Sequence, residues 1–349
     1  MRSLLFLYLT TAGTASSLKC RSKPFENLVT FGDSYTDNGR LSSYFASGGK
    51  APPPGTMHPE ANVTASGGLA WGQMAARATG ARYLDYAIGG ATCSNNIVSR
   101  FLMSLGREFP SVLEDQIPSF KKDVDAGADT LYGGGRTADN TVYAMWIGTN
   151  DLGAGNAFLV EEYAPGATLT NFTDCVWNVF DEIYSTGGRR FVLLNEAPLH
   201  LAPLYVPSAN GGIGDSTFWP TKTKYNETAY QQKILQYTTT VNTVFDYGAP
   251  FNLIVKRRWP GAKFSIFDVH SLMTDMSLNP TRYFDAPANS TGFYRHCDPK
   301  TEKCADSTEP LSSFMWFDDL HPSERAEKVV AEHFLDVIAG NSTYGTDYH

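Results

Sequence analysis

Alternation between strand-like and helix-like patterns is the feature that most constrains how this chain can fold. Apolar runs with the length of buried strands occur at residues 28–31, 83–88, 142–147, 191–194 and 264–269. Helical spacing occurs at residues 69–79, 173–186, 229–247 and 323–338, with Thr173 as the expected cap of the second helix. Because parallel strands must be joined by crossovers, this alternation predicts a parallel sheet covered by helices on both faces.

Three of the strand-like runs lead directly into glycine-containing motifs. Gly32-Asp33-Ser34 follows the first run, Gly89-Gly90 the second and Gly148-Thr149-Asn150-Asp151 the third, while Asp318-Asp319-Leu320-His321 lies on a loop before the last helix. Sites in parallel sheets form at the carboxyl ends of the strands, so we expect the four motifs to meet at one edge. This predicts a single catalytic domain over residues 18–349.

We also expect long loops near the active face at residues 52–55, 208–224 and 278–313.

The residues of these motifs include a nucleophile, a base and a carboxylate. A serine hydroxyl such as that of Ser34 needs a base to take its proton, and His321 is the predicted base. Asp318 stands three residues before His321, where a tight loop can bring its carboxylate onto the imidazole Nδ1–H. Asp319 is a rival for this orienting role. The spacing therefore favours acyl transfer through a covalent ester.

Two further motif residues can stabilise the oxyanion that forms when a serine attacks an ester. Asn150 offers a side-chain amide, and Gly90 offers a backbone N–H that can approach closely because glycine has no side chain. The backbone N–H of Ser34 is a third candidate. No Gly-x-Ser-x-Gly elbow surrounds Ser34, so the ordinary α/β-hydrolase signature does not apply.

Taken together, the four motifs resemble the conserved blocks of the SGNH, or GDSL, hydrolase superfamily. Phe31-Gly32-Asp33-Ser34 is similar to the first block, Ile88-Gly89-Gly90-Ala91 to the second, Gly148-Thr149-Asn150-Asp151 to the third and Asp318-Asp319-Leu320-His321 to the fifth. The resemblance implies a three-layer α/β/α flavodoxin-like fold with a central, mainly parallel five-stranded sheet and long loop insertions. It implies Ser34, Asp318 and His321 as the catalytic triad. It also implies that Ser34, Gly90 and Asn150 form the oxyanion hole.

A closer resemblance is to fungal secreted acetyl esterases of carbohydrate esterase family 16. It is carried by residues 31–40, 90–95 and 146–153. That resemblance implies removal of acetyl groups from sugar hydroxyls of hemicellulose fragments, without a metal or another cofactor. Aromatic residues beside the motifs are candidates for an apolar platform under the substrate: Tyr35, Trp146 and Trp316, with Phe317 as a neighbour.

Two other functions fit parts of the same pattern. An extracellular GDSL lipase or phospholipase would use the same triad on longer acyl chains, and the aromatic residues would then face a fatty acyl group. A carbohydrate-binding protein without activity is a further alternative, but every motif retains the residue that the chemistry needs. A metal-dependent deacetylase is disfavoured because no metal-binding spacing of Cys, His or Glu is present.

The amino-terminal residues predict secretion. Arg2, an apolar stretch over residues 4–9 and small residues to position 17 are typical of a signal peptide covering about residues 1–17. In a secreted protein the five cysteines are expected to form disulfides, with Cys297–Cys304 predicted to pair and Cys93–Cys175 a second possibility. Sequons predict glycosylation at Asn62, Asn171, Asn226, Asn289 and Asn341.

Composition limits the possible partners. The formal net charge of -8 disfavours a nucleic-acid-binding protein, because phosphate binding needs clustered Lys and Arg. No stretch after residue 17 approaches about 20 apolar residues, so we expect no membrane anchor. The predicted partner is a small ester, such as an acetylated saccharide, and the expected assembly state is a monomer.

Overall fold

The computed structural model describes residues 24–126, 131–132, 135–301 and 303–349. The predicted signal peptide over residues 1–17 and the leftover cysteine, Cys20, lie outside these ranges. Within the described residues no helix combines the length and the apolarity needed to cross a bilayer.

Strands and helices follow one another along the chain much as the sequence pattern predicts. The strands in the described residues are β1 Asn27–Gly32, β2 Arg82–Asp85, β3 Phe101–Leu102, β4 Arg107–Glu108, β5 Thr141–Trp146, β6 Arg190–Leu194, β7 Lys263–Phe267, β8 Asn289–Phe293, β9 Arg295–Cys297, β10 Cys304–Asp306, β11 Phe314–Trp316 and β12 Gly345–Tyr348. The α-helices there are α1 Arg40–Ala46, α2 Trp71–Thr79, α3 Ile117–Asp125, α4 Thr149–Leu152, α5 Leu169–Ser185, α6 Glu227–Pro250, α7 Val269–Leu278, α8 Pro280–Tyr283 and α9 Glu324–Ile338.

One mixed sheet forms the centre of the molecule, with the strand order β12-β7-β6-β5-β1-β2. Five of its strands are mutually parallel and lie in the order β2-β1-β5-β6-β7. This is the order that a flavodoxin-like sheet has. The parallel part thus matches the predicted five strands. The prediction of five strands in total is wrong, because β12 adds a sixth, antiparallel strand at the edge of β7.

Helices cover both faces of the sheet, which confirms the three-layer prediction. The helices α2 and α9 pack together on one face of the sheet. The helices α3, α5 and α6 form the layer on the opposite face. Chain order explains this division, because right-handed crossovers from β1 to β2 and from β2 to β5 run in opposite directions along the sheet and so use opposite faces.

Burial on both faces accounts for the apolar character of the central strands. Every residue of β1 and β5 is buried. An aromatic cluster packs on one face, where the Phe180 ring of α5 lies 4.9 Å from Phe264 of β7 and 5.4 Å from Phe191 of β6. On the other face the rings of Trp71 and Phe334 are 4.8 Å apart and join α2 to α9. These contacts fix the helices against the sheet and hold its carboxyl edge in place.

Two boundaries differ from the sequence prediction. Helix α5 begins earlier than expected because Thr168, not Thr173, is its cap: the Thr168 hydroxyl accepts a hydrogen bond from the Asn171 N–H at 3.3 Å. Thr173 lies inside the helix and donates its hydroxyl to the Thr170 carbonyl at 3.0 Å. The predicted strand over residues 83–88 ends at Asp85 as β2. The N–H groups of Tyr86 and Ile88 still donate to the Thr30 and Gly32 carbonyls of β1, at 2.8 and 3.2 Å, before the Gly89-Gly90 turn.

Two disulfides are formed among the described residues. Cys297–Cys304 joins β9 to β10, and Cys93–Cys175 joins the segment after Gly90 to α5 across 82 residues of sequence. Four of the five sequons have exposed asparagines, at Asn62, Asn171, Asn226 and Asn341. Asn289 is half-buried, and its side-chain oxygen accepts hydrogen bonds from the N–H groups of Thr291 and Gly292.

Candidate active site

Ser34 lies on a tight turn immediately after β1. The N–H groups of Thr36 and Asp37 both donate to the Asp33 carbonyl, at 3.0 and 2.9 Å, and so close the turn. Gly32 begins it with a φ of +147°, and a Cβ there would lie 2.1 Å from the Trp146 carbonyl oxygen. Glycine is therefore required at this position, because it lets β1 run beside β5 and then turn sharply to project Ser34 from the edge of the sheet.

A second tight loop carries Asp318 and His321 between β11 and α9. The Phe317 N–H donates to the His321 carbonyl at 2.8 Å, and the Ser323 N–H donates to the Met315 carbonyl at 2.8 Å. Ser323 also caps α9, since its hydroxyl accepts the Ala326 N–H at 3.2 Å. These bonds place both ends of the Asp318–His321 segment on rigid elements.

The two loops meet in a continuous line of hydrogen bonds. The Ser34 Oγ lies 2.8 Å from His321 Nε2, and His321 Nδ1 lies 3.0 and 2.9 Å from the two carboxylate oxygens of Asp318. Asp318 is itself held by the N–H groups of Leu320 and His321, at 2.9 and 2.7 Å. A carboxylate at Nδ1 fixes the proton on that nitrogen, so Nε2 is free to accept the proton of Ser34.

The electrostatic surroundings of His321 favour a proton on its ring. Burial by itself lowers the pKa of His321, but the charge and hydrogen bond of Asp318 outweigh it and raise the pKa above the ordinary histidine value. Asp319, which sequence reasoning held as a rival orienter, makes no contact with the ring within the described residues. Burial, followed by the charge of Asp318, raises the pKa of Asp319 to about 6.

Three N–H donors of the motifs are candidates for binding an oxyanion, at Ser34, Gly90 and Asn150. Neither the Ser34 N–H nor the Gly90 N–H donates a hydrogen bond within the described part of the chain. The Asn150 amide donates one hydrogen to the Ala91 carbonyl at 3.0 Å and keeps its second hydrogen. Asp37 links the first two motifs, because its carboxylate accepts the Gly89 N–H at 2.7 Å. Unused donors of this kind suit a developing oxyanion.

Gly90 has a backbone conformation that only glycine adopts readily. Its φ is +84°, and a Cβ there would lie 2.6 Å from the Phe109 ring. The glycine therefore allows both the turn and the close approach of Phe109, as its proposed role requires.

Buried acids underlie the site. Asp151 accepts the Cys93 N–H at 2.9 Å, and burial raises its pKa to about 8. Burial also raises the pKa of Glu196 well above the ordinary value. Burial thus favours the neutral form of both carboxyl groups.

The predicted aromatic platform is not formed by the residues that the sequence indicated. Tyr35, Trp146 and Trp316 have exposed fractions of 1%, 2% and 0% and cannot lie against a substrate. They are support residues: the Tyr35 hydroxyl donates to the Leu320 carbonyl at 2.8 Å, and its ring packs against Trp146 at 5.0 Å. Residues next to catalytic motifs are packed most tightly, which is why adjacency in sequence misled the prediction.

Phe109 and Phe218 take the position at the site that the prediction gave to the buried aromatics. Both are half-buried, and sequence reasoning missed them because neither adjoins a motif. Phe218 lies on the long loop over residues 208–224, and its ring centroid is 5.2 Å from that of His321. Phe109 lies against Gly90. Phe218 therefore lies beside the predicted base, and Phe109 lies beside Gly90, the predicted oxyanion residue.

Arg100 is a third residue that the sequence did not reveal. Its Nη1 donates to Asn150 Oδ1 at 2.7 Å and to the Gly90 carbonyl at 2.8 Å, and its Nε donates to the Gly155 carbonyl at 3.1 Å. A lone arginine between two motifs carries no spacing signal that would have identified it.

Comparisons with known proteins show which family the chain belongs to. A family model described as GDSL-like lipase/acylhydrolase matches residues 28–334. The chain is 48% identical to an acetylesterase of Hypocrea jecorina over 99% of both chains. It is 26% identical to an acetylesterase of Thermothelomyces thermophilus over 97% of both chains. A GDSL esterase/lipase of Arabidopsis thaliana is 24% identical over 74% of this chain and 68% of that protein.

Proposed function

This chain belongs to the GDSL-like lipase and acylhydrolase family and is a carboxylic ester hydrolase, and we propose that it is a secreted serine esterase that removes acetyl groups from saccharides. The observation that carries this proposal is the line of hydrogen bonds from Ser34 through His321 to Asp318. It lies beside backbone donors that have no other acceptor within the described residues. An activated serine and an oxyanion site are the two requirements of ester cleavage.

In the first half of the proposed reaction, the Ser34 Oγ attacks the ester carbonyl carbon while His321 Nε2 takes its proton. Asp318 stabilises the imidazolium that forms. The carbonyl oxygen becomes negatively charged and accepts hydrogen bonds from the N–H groups of Ser34 and Gly90 and from the Asn150 amide. Collapse of the tetrahedral intermediate breaks the bond to the alcohol oxygen, which leaves with the proton from His321. The acyl group remains on Ser34.

In the second half, water replaces the alcohol. His321 Nε2 takes a proton from the water, whose oxygen attacks the acyl carbon through the same oxyanion site. The bond to the Ser34 Oγ then breaks, and the serine recovers its proton from His321. The acid leaves as a carboxylate, and the enzyme returns to its starting state.

The choice of an acetyl group is supported by similarity and by the surroundings of Ser34. The Hypocrea jecorina and Thermothelomyces thermophilus relatives are both acetylesterases, and each aligns over nearly the whole chain. Phe218 lies beside His321, and Phe109 lies beside Gly90. We expect these two rings to limit the room for a long acyl group. They also offer apolar faces against which a sugar ring can pack.

Secretion is supported by the cysteines and the sequons. Two disulfides are formed among the described residues, and disulfides persist in oxidising compartments. Four exposed sequon asparagines, Asn62, Asn171, Asn226 and Asn341, can carry glycans without disturbing the fold. We expect Asn289 to be occupied less, because it is half-buried whereas the other four are exposed.

The direct test compares ester hydrolysis by the wild type and by Ser34→Ala. We expect p-nitrophenyl acetate to be cleaved with the highest kcat/KM, followed by butyrate and then octanoate, and acetylated xylo-oligosaccharides to release acetate. Ser34→Ala should leave only residual turnover, whereas Ser185→Ala, at an exposed helix end, should behave as the wild type. A fluorophosphonate should label Ser34, as read by mass spectrometry of the peptides.

Three results would contradict the proposal at different points. A fluorophosphonate adduct on another serine would show that Ser34 is not the nucleophile. A kcat/KM that rises with acyl length, together with activation by a lipid interface, would establish a lipase. Cleavage of p-nitrophenyl acetate without acetate release from any acetylated saccharide would leave an esterase with a different alcohol part.

A further inference from the structure

We propose that Arg100 is a positioning residue that locks the Asn150 amide into the orientation that oxyanion binding needs, with the Gly90 carbonyl as one of its anchors. The inference deepens the proposed function and rests on it. Arg100 lies between the Gly89-Gly90 motif and the motif that contains Asn150, and belongs to neither. Its side chain is half-buried at the carboxyl edge of the sheet.

The contacts of the Arg100 guanidinium carry the argument. One nitrogen, Nη1, donates both to Asn150 Oδ1 at 2.7 Å and to the Gly90 carbonyl at 2.8 Å. Nε donates to the Gly155 carbonyl at 3.1 Å. The guanidinium thus bridges the second motif, the third motif and the loop that follows α4. The two groups proposed to donate to the oxyanion are tied to one rigid, planar cation.

Arg100 decides which end of the Asn150 amide faces the reaction. An asparagine amide has a donor end and an acceptor end, and rotation by half a turn exchanges them. A cation beside Oδ1 favours the observed orientation, because the flipped amide would turn its NH₂ toward the guanidinium. In that flipped state the amide oxygen would also face the Ala91 carbonyl and the oxyanion, which are both acceptors. Arg100 therefore keeps a hydrogen of Asn150 Nδ2 available to the substrate.

The Phe109 ring holds the guanidinium in place. The Arg100 Cζ lies 5.2 Å from the ring centroid, within the range of a cation–π contact. The same ring lies against Gly90. Phe109 thus supports the arginine from one side while the three acceptors fix it from the other. A lysine cannot reproduce this, because its ammonium is a point charge without the planar fork that spans several acceptors.

The test is a double-mutant cycle on p-nitrophenyl acetate hydrolysis. Removal of one oxyanion donor typically lowers kcat by about 10²- to 10³-fold, so we expect Asn150→Ala to lose about that much. Arg100→Met should lose a similar factor in kcat, with KM changed by less than about threefold. In the Asn150→Ala background the additional loss from Arg100→Met should be less than about threefold, because the two residues act through one donor. Arg100→Lys should recover only part of the lost kcat.

Controls separate positioning from folding and from the proposed function itself. Arg107→Met removes a nearby arginine that contacts Tyr44 and the Gly49 carbonyl, and it should keep wild-type kinetics. Fluorophosphonate titration gives the fraction of active Ser34 in every variant, so that kcat is counted per competent site. Circular dichroism melting confirms that each variant is folded.

The outcomes are distinguishable. Retention of activity in Ser34→Ala would overturn the proposed function. With Ser34→Ala inactive and Asn150→Ala slow, a near-wild-type kcat in Arg100→Met would overturn only the inference on Arg100. Fully multiplicative losses in the double variant would overturn it too, since they would show that Arg100 acts independently of Asn150. A loss confined to KM would assign Arg100 to substrate binding instead.

Discussion

At the scale of single residues, two adjacent carboxylates in this chain occupy different environments. Asp318 accepts the N–H groups of Leu320 and His321 as well as the imidazole of His321. Asp319 is buried, and its pKa is raised to about 6, chiefly by burial. The two aspartates have the same side-chain chemistry. Their different environments therefore follow from the backbone of the loop, which turns Asp318 toward His321.

This difference predicts unequal effects of two matched substitutions. Asp318→Asn should lower kcat by about 10³- to 10⁴-fold, because an amide at His321 Nδ1 favours the wrong tautomer. Asp319→Asn should keep most of the activity, since the hydrogen bonds to His321 Nδ1 come from Asp318 and not from Asp319. Steady-state kinetics of both variants on p-nitrophenyl acetate measure the contrast. Equal losses, or the greater loss at Asp319, would reverse the assignment.

The raised pKa of His321 predicts the acid limb of the pH profile. The base must be neutral to accept the Ser34 proton, so kcat/KM should fall as the pH drops through the His321 pKa. Burial lowers that pKa, but Asp318 outweighs the burial, so the midpoint should lie above the ordinary value of about 6.5. The Asp318→Asn variant loses the carboxylate that raises the His321 pKa but keeps the burial that lowers it. The midpoint of its residual activity should therefore move to lower pH. An unchanged midpoint in that variant would contradict the coupling.

Sequence reasoning identified Ser34, His321, Gly90 and Asn150 because each stands at the end of a predicted strand or in a recognisable motif. The structure brings these residues together at one edge of the sheet. Arg100, Phe109 and Phe218 could not be found in that way. Each reaches the site from a loop through side-chain packing, which neither periodicity nor spacing encodes.

At the scale of elements, the long loop over residues 208–224 closes one side of the site. The buried Lys222 anchors it by donating its ammonium group to the carbonyls of Val206 and Ile213, at 2.6 and 2.5 Å. The Ser216 hydroxyl accepts the Phe218 N–H at 2.9 Å. These bonds explain how a segment without regular strands or long helices presents Phe218 to His321 in a defined position.

Removal of the Phe218 ring should therefore relax acyl selectivity. Phe218→Ala opens space beside His321, and room for two methylenes is worth about 1.6 kcal/mol. We expect the ratio of kcat/KM for octanoate to that for acetate to rise about tenfold. Phe251→Ala, at an exposed ring remote in sequence from every motif, serves as the control and should leave the ratio unchanged. The p-nitrophenyl ester series gives both ratios, and an unaltered ratio in Phe218→Ala would exclude this ring from the acyl site.

Elements with strong apolar patterns were predictable, and those with weak patterns were not. The strands β1, β5, β6 and β7 are largely buried and were located within a residue or two of their ends. The last two residues of the run predicted as β7, 268 and 269, belong instead to the start of α7. The edge strand β12 was missed. Its residues are polar or glycine except for one tyrosine, and it forms only because the open edge of β7 offers backbone partners.

At the scale of the whole molecule, the Cys93–Cys175 disulfide connects the active-site edge with the helical layer. Both cysteines are buried, and the Cys93 N–H donates to Asp151, which follows Asn150. The bridge thus fixes the segment after Gly90 against the third motif and against α5. In contrast, Cys297–Cys304 closes a short hairpin that spans 7 residues of sequence.

The two bridges should differ in their contribution to stability. Removal of a native disulfide typically costs about 2–5 kcal/mol, and the loss grows with the length of the closed loop in the chain-entropy model. We expect the double variant Cys93→Ala with Cys175→Ala to show a clearly lower Tm and a lower kcat. Cys297→Ala with Cys304→Ala should melt closer to the wild type. Calorimetry and p-nitrophenyl acetate turnover on both variants provide the test, and the reverse order of Tm would contradict it.

The separation of Ser34 from His321 by 287 positions has a consequence for the life of the chain before it is finished. Synthesis proceeds from the amino end, so Ser34, the proposed nucleophile, leaves the ribosome long before His321, its proposed base. A serine without a base is a weak nucleophile, so we expect a nascent chain that lacks His321 not to cleave esters. On this proposal, activity begins only after the segment with β11 and α9 has been translated and has packed against the rest of the fold.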